Sequence, residues 1–440
     1  MSDTRRASRR DFLKTSSVAL AGTALAGGLS VGRAAHAAGS DEMKVVLIGC
    51  GGRGKGAIVN CMEASKATGE KIRLIAVADA FEDNARNALE GLKKDKTYAN
   101  LIDVPDDRVF SGFDNFQKAL DANPDLVIIA TPPGFRPIHY KAAVAAGKNI
   151  FMEKPLCVDA PGYRSLLETN KEADAKGLKV GVGLQRHHEP RYQETVQRIQ
   201  DGAIGDLKYL RAYWNGAGVW IRERKPEQTE MEYQMRNWYY FVWLCGDHIC
   251  EQHIHNLDVC NWVKGGHPVE ANGMGGRQVR KGKDVGHIYD HHFVEFTYDD
   301  GTKTFSQCRH IPNCWNSVSE YAHGTKGWAD CSGQIYGGTE WKFRGDKPNP
   351  YVQEHVDLQT AIRKNQPFNE GHFGADSSFT SVLGRMATYS GQVVKWDEAV
   401  KGGPCEMPET YAWDAKPPVM PDENGSYEYA VAMPGIYKPY

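Results

Sequence analysis

The chain has 440 residues, of which 41% are hydrophobic and 25% are charged, and its formal net charge is -2 at pH 7. This length allows two domains with a core each, and the near-neutral charge gives no reason to expect nucleic acid or an anionic membrane surface as a partner. The 10 cysteines form no C-x-x-C pair, so neither a zinc ribbon nor a disulfide framework is indicated.

The first 37 residues are typical of an export signal. A twin-arginine motif, S-R-R-D-F-L-K from Ser8 to Lys14, precedes an apolar run from Ser17 to Val31 and an A-x-A site that ends at Ala37. We expect the twin-arginine (Tat) export machinery to deliver the protein to the periplasm or the medium, with cleavage after Ala37. No later segment is long and apolar enough to predict an integral membrane span.

A strand and a glycine-rich turn come next. Met43 to Ile48 is a short, apolar and β-branched run, which is typical of a parallel sheet covered on both faces. It leads into G-C-G-G-R-G, a match to G-x-G-x-x-G, and a helix is predicted from Ala57. In such turns the glycines allow a tight bend, close approach of a diphosphate to the backbone, and close packing of the helix. We therefore predict cofactor contacts from Gly49, Gly51, Gly52, Arg53 and Gly54.

The second strand, Lys71 to Ala78, ends at an acidic residue, Asp79. A carboxylate at this place accepts hydrogen bonds from an adenosine ribose and repels a 2′-phosphate, which favours NAD over NADP as the cofactor. The alternative is that Asp79 only caps the following helix. Since almost no free NAD is expected outside the cytoplasm, an exported enzyme would have to hold its cofactor tightly.

Strands and helices continue to alternate up to residue 185. Strands are predicted at Asp125 to Ala130, Asn149 to Met152 and Leu178 to Gln185, with a helix at Ala160 to Lys176. This alternation implies right-handed crossovers and a doubly wound parallel sheet, so residues 43–185 are predicted to form a Rossmann dinucleotide-binding domain of α/β class. Further cofactor contacts are predicted just after two of these strands, at Thr131, Pro132, Pro133, Glu153 and Lys154.

These motifs together resemble the Gfo/Idh/MocA oxidoreductase family, whose relatives include glucose-fructose oxidoreductase and inositol dehydrogenase. The resemblance rests on the glycine turn, on Asp79, on A-T-P-P and above all on E-K-P at Glu153 to Pro155. In that family the lysine of E-K-P lies between the nicotinamide and the substrate hydroxyl. By resemblance, Lys154 is a catalytic residue.

A change in composition after Gln185 marks a second domain, predicted to span residues 186–400. His292 to Asp299 alternates clearly, and Lys303 to Arg309 is predicted to pair back on it as a hairpin. By resemblance this is an α+β domain with a large, mostly antiparallel open sheet, which binds substrate and joins subunits into a homodimer or homotetramer. Residues 401–440 are predicted to form an extended tail laid over the body or over a neighbouring subunit.

The segment G-D-H-I-C-E-Q-H-I-H-N-L-D, residues 246–258, carries a dense set of polar groups. With helical spacing, His248, Glu251, Gln252 and His255 would share one face. Many family members carry D-x-G-x-H-x-x-D here, and the last four residues of the segment match H-x-x-D. By resemblance His255 is the catalytic acid or base, and Glu251, in place of the usual aspartate, orients His255 or binds a hydroxyl.

Other interpretations of these polar residues stay open. A divalent metal on His248, Glu251 and His255 is conceivable, but the family chemistry needs none and we expect no metal. The histidines could also be buried groups that only join the two domains, and Arg186 could form an interdomain ion pair instead of binding substrate. The candidate substrate-binding residues are Arg186, Trp220, His248, Gln252 and Tyr289.

The expected function is that of an exported NAD(P)-dependent oxidoreductase acting on CH–OH groups. It would transfer a hydride between a hydroxyl-bearing carbon of a sugar, a cyclitol or a glycoside and the bound nicotinamide cofactor. One alternative is an NAD-dependent glycosidase that works by transient oxidation at C3 and elimination, which needs a further acid or base such as Tyr213, Tyr289 or His310. Another alternative is a sugar-binding sensor without catalysis.

Overall fold

The structure, a computed structural model, describes residues 42–440. The predicted export signal at residues 1–37 lies outside the described residues. None of the helices in residues 42–440 is long and apolar enough to cross a bilayer. All ten cysteines fall in this part of the chain, and all ten are free.

The first half of the described chain forms a six-stranded parallel sheet with helices on both faces. Its strands are β1 (Glu42–Ile48), β2 (Lys71–Ala78), β3 (Val109–Phe110), β4 (Leu126–Ile129), β5 (Asn149–Met152) and β6 (Val180–Val182). The helices between them are α1 (Gly52–Thr68), α2 (Glu82–Lys94), α3 (Asn115–Asp121), α4 (Arg136–Ala145) and α5 (Ala160–Ala175). The strand order is β3-β2-β1-β4-β5-β6, which is the doubly wound Rossmann arrangement and confirms the predicted fold class.

The glycine turn explains why the chain can pass directly from β1 into α1. Gly49 has φ +95°, and a Cβ there would lie 2.5 Å from the backbone of Ala130. A Cβ on Gly54 would lie 1.9 Å from the carbonyl oxygen of Gly49. Only glycine fits at these two positions. Helix α1 begins at Gly52, within the glycine turn and five residues before the predicted start at Ala57.

The second half forms a nine-stranded sheet in the order β14-β13-β12-β11-β7-β10-β9-β8-β15. Its strands are β7 (Leu207–Gly216), β8 (Glu270–Gly276), β9 (His291–Thr297), β10 (Lys303–His310), β11 (Ser317–Gly324), β12 (Trp328–Asp330), β13 (Gln334–Tyr336), β14 (Trp341–Lys342) and β15 (Val394–Lys395). Its helices are α6 (Pro190–Gln200), α7 (Glu230–Arg236), α8 (Val242–Cys245), α9 (His248–Glu251), α10 (Ile254–Lys264), α11 (Pro350–Arg363), α12 (Gly371–Ser390) and α13 (Trp396–Gly402).

All neighbours in this sheet are antiparallel except β7 and β10, so the predicted mostly antiparallel sheet is confirmed. Helices α10 and α12 cover one face of the sheet. The opposite face carries exposed apolar side chains such as Met274, which is 77% exposed. A single hydrophobic cluster runs from strands β1, β4 and β5 into α9, α10, α12 and β9, so both halves share a core.

The prediction of one helical face through residues 248–255 was wrong. Helix α9 ends at Glu251, the backbone bends at Gln252 and His253, and α10 begins at Ile254. The side chains of His248 and His255 therefore face different surroundings. Periodicity cannot reveal this break, because no glycine or proline marks it.

Residues 403–440 contain only a single 3₁₀ turn and pack against the body of the same chain. The Trp413 ring lies 5.0 Å from the Phe81 ring and 4.7 Å from the Phe113 ring, both in the Rossmann half. Tyr427 is fully buried against Phe241, with ring centroids 5.0 Å apart. The tail thus reaches across both halves.

Candidate active site

The glycine turn leaves an open cradle at the carboxyl edge of the parallel sheet. No atom lies within 4 Å of the position that a Cβ would take on Gly51 or Gly52. The first amides of any α-helix have no partner within the helix. The N-cap of α1 is Gly51, which has no side chain to accept a hydrogen bond from them. Such amides and the helix dipole favour an anion, and the cradle therefore fits the diphosphate of a dinucleotide.

Asp79 lies directly beside this cradle. Its Oδ2 accepts a hydrogen bond from the amide of Cys50 at 2.7 Å, and its Oδ1 accepts from the amide of Phe81 at 2.9 Å. Burial raises the pKa of the Asp79 carboxyl. The residue thus fixes the glycine turn and supports the start of α2 at the same time, so the capping role considered above is part of what it does.

Two further predicted cofactor segments follow β4 and β5. The hydroxyl of Thr131 lies 3.1 Å from Nδ1 of His139, and Pro132 and Pro133 lead into a short 3₁₀ turn. The carboxylate of Glu153 lies 2.5 Å from Nε of Arg53 in the glycine turn. This ion pair joins the turn to the E-K-P segment.

Lys154 forms the next contact along the chain. Its Nζ donates hydrogen bonds to Oε1 of Glu251, at 2.9 Å, and to the Glu251 carbonyl oxygen. The two side chains are 13% and 14% exposed, so the pair is mostly buried but still in contact with solvent. Glu251 was expected to orient His255 or to bind a hydroxyl, and its observed partner among the described residues is Lys154.

His255 lies in the same surroundings as this pair. The residue is 8% exposed, its Nδ1 is buried without a hydrogen-bond partner among residues 42–440, and its ring lies 5.9 Å from the ring of Trp214. Burial, together with the positive charges of Lys154, Arg186 and Arg53, holds the pKa of the imidazole well below its ordinary value. Burial and these positive charges favour the neutral form of the His255 imidazole.

Arg186 is buried in an ion pair with Glu320 of β11. Glu320 also accepts hydrogen bonds from the Tyr192 hydroxyl, at 3.1 Å, and from the Asn256 side chain. Of the two interpretations considered for Arg186, the structure has the ion pair. The charge of Arg186 also lowers the pKa of the His255 imidazole, and a substrate role for Arg186 stays a prediction.

The remaining predicted substrate residues do not gather at one place. His248 and Tyr289 are 0% and 1% exposed, and the Tyr289 hydroxyl donates to the carbonyl oxygen of Ala432. Their role as substrate contacts stays a prediction. The Gln252 amide oxygen lies 2.7 Å from Nε2 of His310. Trp220 is 39% exposed and packs edge-on against Trp238 and Tyr239.

Sequence reasoning missed Trp214, Glu320 and Asp247. Trp214 and Glu320 lie at alternate positions of β7 and β11 that point to the covered face of the sheet, as their buried strand neighbours show. An acidic residue at an inward position of an alternating strand is the signal that could have found Glu320. The signal for Asp247 is weaker, since only its φ of +80° in the folded chain sets it apart.

Comparisons with known proteins agree with this arrangement. Residues 43–183 match the model of an oxidoreductase family with an NAD-binding Rossmann fold, and residues 192–330 match the model of the GFO/IDH/MocA C-terminal domain. An inositol 2-dehydrogenase of Serratia proteamaculans is 28% identical over 267 residues, which is 59% of this chain and 65% of that protein. The chain spans about half to two thirds of the length of the curated relatives it matches.

Solved structures share the fold at low identity. An aldose-aldose oxidoreductase from Caulobacter crescentus is 18% identical, with a TM-score of 0.62 over 81% of this chain and 100% of that one. A levoglucosan dehydrogenase in complex with NADH and levoglucosan is 16% identical, with a TM-score of 0.63 over 80% of this chain and 99% of that one. At this identity the likeness shows the fold alone.

Proposed function

The chain belongs to the Gfo/Idh/MocA oxidoreductase family, and on that premise we propose that it is an NAD-dependent dehydrogenase of a cyclic polyol, such as a sugar, a cyclitol or a glycoside. One observation carries the proposal. Glu153 forms an ion pair with Arg53 of the glycine turn, at 2.5 Å between Oε1 and Nε. The next residue, Lys154, forms an ion pair with Glu251, at 2.9 Å between Nζ and Oε1. The neutral imidazole of His255 lies beside them. Relatives named as inositol 2-dehydrogenase support the substrate class.

When bound, NAD supplies the hydride acceptor of such a reaction, at C4 of its nicotinamide ring. The amides at Gly51 and Gly52 hold its diphosphate, since this cradle is open and anion-binding. His255 is the acceptor that we propose for the proton of the substrate hydroxyl, through Nε2, because its Nδ1 is buried without a partner among residues 42–440.

Lys154 positions the substrate oxygen. Its Nζ is tied to Glu251 by a hydrogen bond of 2.9 Å, and an ammonium group can donate up to three hydrogen bonds. With the Glu251 carboxylate and carbonyl oxygen as two acceptors, one donor remains for a substrate hydroxyl. Glu251 therefore fixes the direction in which Lys154 donates.

The C-terminal tail supports the proposal of a tightly held cofactor. Phe81 follows Asp79 by two residues, and Trp413 of the tail packs against it at 5.0 Å. The Arg236 guanidinium lies 3.8 Å from the centre of the same Phe81 ring on another side and pairs with Asp83 at 2.8 Å. Two segments from the second half thus enclose the chain beside Asp79, where the adenosine would lie.

The glycosidase alternative is less well supported than the dehydrogenase. Tyr213 belongs to the outer face of the sheet, where its ring packs against Trp315 at 5.5 Å. His310 is held between Gln252 and Arg280, at 2.7 and 2.8 Å, and Tyr289 bonds to the tail. None of the three groups considered for the additional proton transfer is free.

The first test is to purify the mature protein without added nucleotide, denature it, and identify any released dinucleotide by mass spectrometry. We expect about one NAD or NADH per chain, followed by ketone formation from inositols or sugars without release of an aglycone. Recovery of NADP would contradict the assignment of Asp79. No nucleotide, and no binding on titration, would reject the enzyme and leave the sensor.

Export and assembly are proposed from the sequence and from one surface. Changing Arg9 and Arg10 to lysine should keep the protein in the cytoplasm on cell fractionation, whereas a cytoplasmic wild type would reject the signal. Met274 and Phe293, opposite each other on the exposed face of β8 and β9, suit a homo-oligomer contact. Changing both to lysine should lower the mass measured by light scattering to that of a monomer.

A further inference from the structure

We propose that Asp247, His248 and His292 bind a divalent transition-metal ion, for which Zn²⁺ is the best fit. One ligand atom from each of the three residues lies within 4.8 Å of the other two, and all three side chains are 0% exposed. Asp247 and His248 stand at the start of α9, whereas His292 lies on β9, so the fold brings them together from distant parts of the chain. This set differs from His248, Glu251 and His255, because Glu251 is committed to Lys154.

The hydrogen bonds of His292 point to a positive centre in this cluster. Its Nδ1 lies 2.9 Å from the hydroxyl of Thr388. If that hydroxyl donates its single proton to a helix carbonyl, of Gly384 or Arg385, at 3.1 or 3.0 Å, it accepts from Nδ1–H of His292.

Nε2 of a neutral His292 then carries a lone pair, and it lies 3.4 Å from Oδ1 of Asp247. Two acceptors that face each other in a dry interior repel, unless a cation or an additional proton lies between them. A metal ion would use both lone pairs. The Nδ1 contact with Thr388 is the outer hydrogen bond that usually orients a metal-binding histidine.

His248 adds a second unsatisfied nitrogen. Its Nδ1 lies 2.8 Å from Oδ1 of Asp247, and its Nε2 is buried with no hydrogen-bond partner in the described part of the chain. The nearby ring of His310 cannot supply one, because both of its nitrogens are engaged by Arg280 and Gln252. Buried polar atoms of this kind call for a partner that protein atoms do not provide.

Asp247 is held as a ligand should be. Its Oδ2 accepts from the amide of Tyr289 at 2.9 Å and from the hydroxyl of Tyr389 at 2.6 Å. These contacts fix the direction of the carboxylate and leave Oδ1 toward the two histidines. The backbone of Asp247 adopts φ +80° to reach this position, an unusual conformation for a residue with a side chain.

The donor set selects the type of ion. Two imidazole nitrogens and one carboxylate oxygen suit Zn²⁺, which takes three protein ligands and leaves a fourth position for water. Ca²⁺ and Mg²⁺ prefer six or more oxygen ligands, which this cluster lacks. Because Asp247 and His248 begin the helix that ends at Glu251, the ion would anchor the backbone that positions Lys154.

The test uses the mature full chain, purified without chelator or added metal. Plasma mass spectrometry should find about one Zn²⁺ per chain, and removal with a chelator should lower the melting temperature by about 5 °C or more, reversibly on return of Zn²⁺. His292→Ala should lose the metal. His355→Gln, a change at another fully buried histidine on α11, should keep it.

If His292→Ala fails to fold, the wild type still decides the question. Replacement of Zn²⁺ by Co²⁺ should give visible ligand-field bands, and X-ray absorption should show nitrogen and oxygen neighbours at about 2.0–2.2 Å without sulfur. A folded wild type that holds no metal and gains no stability from excess Zn²⁺ overturns the proposal. None of these readouts needs turnover, so they stand or fall separately from the dehydrogenase activity.

Discussion

Two polar clusters meet on the same short segment, residues 246–258, and they differ in their access to the cleft. Lys154 and Glu251 are 13% and 14% exposed, whereas the side chains of Asp247 and His248, less than one helical turn earlier, are 0% exposed. The open cluster, Lys154 and Glu251, pairs a cation with a carboxylate. The buried cluster, Asp247, His248 and His292, places two imidazoles around one carboxylate. Only three positions thus separate His248, whose side chain contacts only protein or an ion, from Glu251, whose side chain is accessible to a substrate.

The largest expected effect is on the open cluster. Lys154→Met should lower kcat/KM for the best polyol by about 10²- to 10⁴-fold, since it removes the donor to the reacting oxygen. The melting temperature should fall as well, because Glu251 is only 14% exposed and would lose its cation, so kcat/KM is measured well below the melting temperature of the variant. Lys171→Met, on the exposed side of α5, is the matched control and should leave kinetics unchanged. Full activity in Lys154→Met would remove Lys154 from the site.

The second largest effect is expected on the free energy of unfolding, when the buried ion pair of Arg186 and Glu320 is broken. Glu320→Gln leaves the buried Arg186 without its carboxylate, which should lower the free energy of unfolding by about 3–5 kcal/mol in urea titrations. The control Glu295→Gln breaks the partly exposed pair with Lys303 and should cost about 1 kcal/mol or less. Equal costs for the two variants would mean that burial does not decide the strength of these pairs.

Thr388→Val should destabilise the buried cluster without touching the open one. It removes the acceptor of Nδ1–H of His292 and should cost about 1–3 kcal/mol of unfolding free energy. Thr388→Ser keeps the hydroxyl and should recover most of that loss. If the valine variant is as stable as the wild type, the assigned tautomer of His292 is wrong.

The subtlest expected change is in the titration of His255. Its pKa is held well below the ordinary value by burial and by Lys154, Arg186 and Arg53, so proton NMR should show the ring still neutral at pH 6.5, where an ordinary imidazole is half protonated. Lys154→Met removes one positive neighbour, and the His255 pKa should then rise. His188 provides the contrast: Asp357 and Glu370 raise its pKa to about 10, so it should stay charged across the same range. A wild-type His255 that titrates near 6.5 would contradict the described surroundings.

Much of the Rossmann half could be predicted, for a physical reason. Strand β2 (Lys71–Ala78) and strand β5 (Asn149–Met152) have the predicted bounds, because a fully buried strand must be a short apolar run closed by polar residues. Strand β6 is shorter than the predicted run Leu178 to Gln185, since Gln185 already belongs to a 3₁₀ turn. Fold class and NAD-binding domain followed from local patterns that the physics of a parallel sheet imposes.

In the candidate site, too, some features could be predicted from local sequence and others could not. The sequence by itself determined the glycine turn, the E-K-P segment and His255, since each is a local motif whose chemistry depends on neighbours in the chain. Only the tertiary structure decided that Glu251 pairs with Lys154, that Arg186 pairs with Glu320, and that His248 faces the interior. The two pairings join residues 97 and 134 positions apart, and the place of His248 depends on a helix break without a sequence signal. Which carboxylate lies beside which cation depends on how the helices and strands pack, and that packing depends on the whole chain.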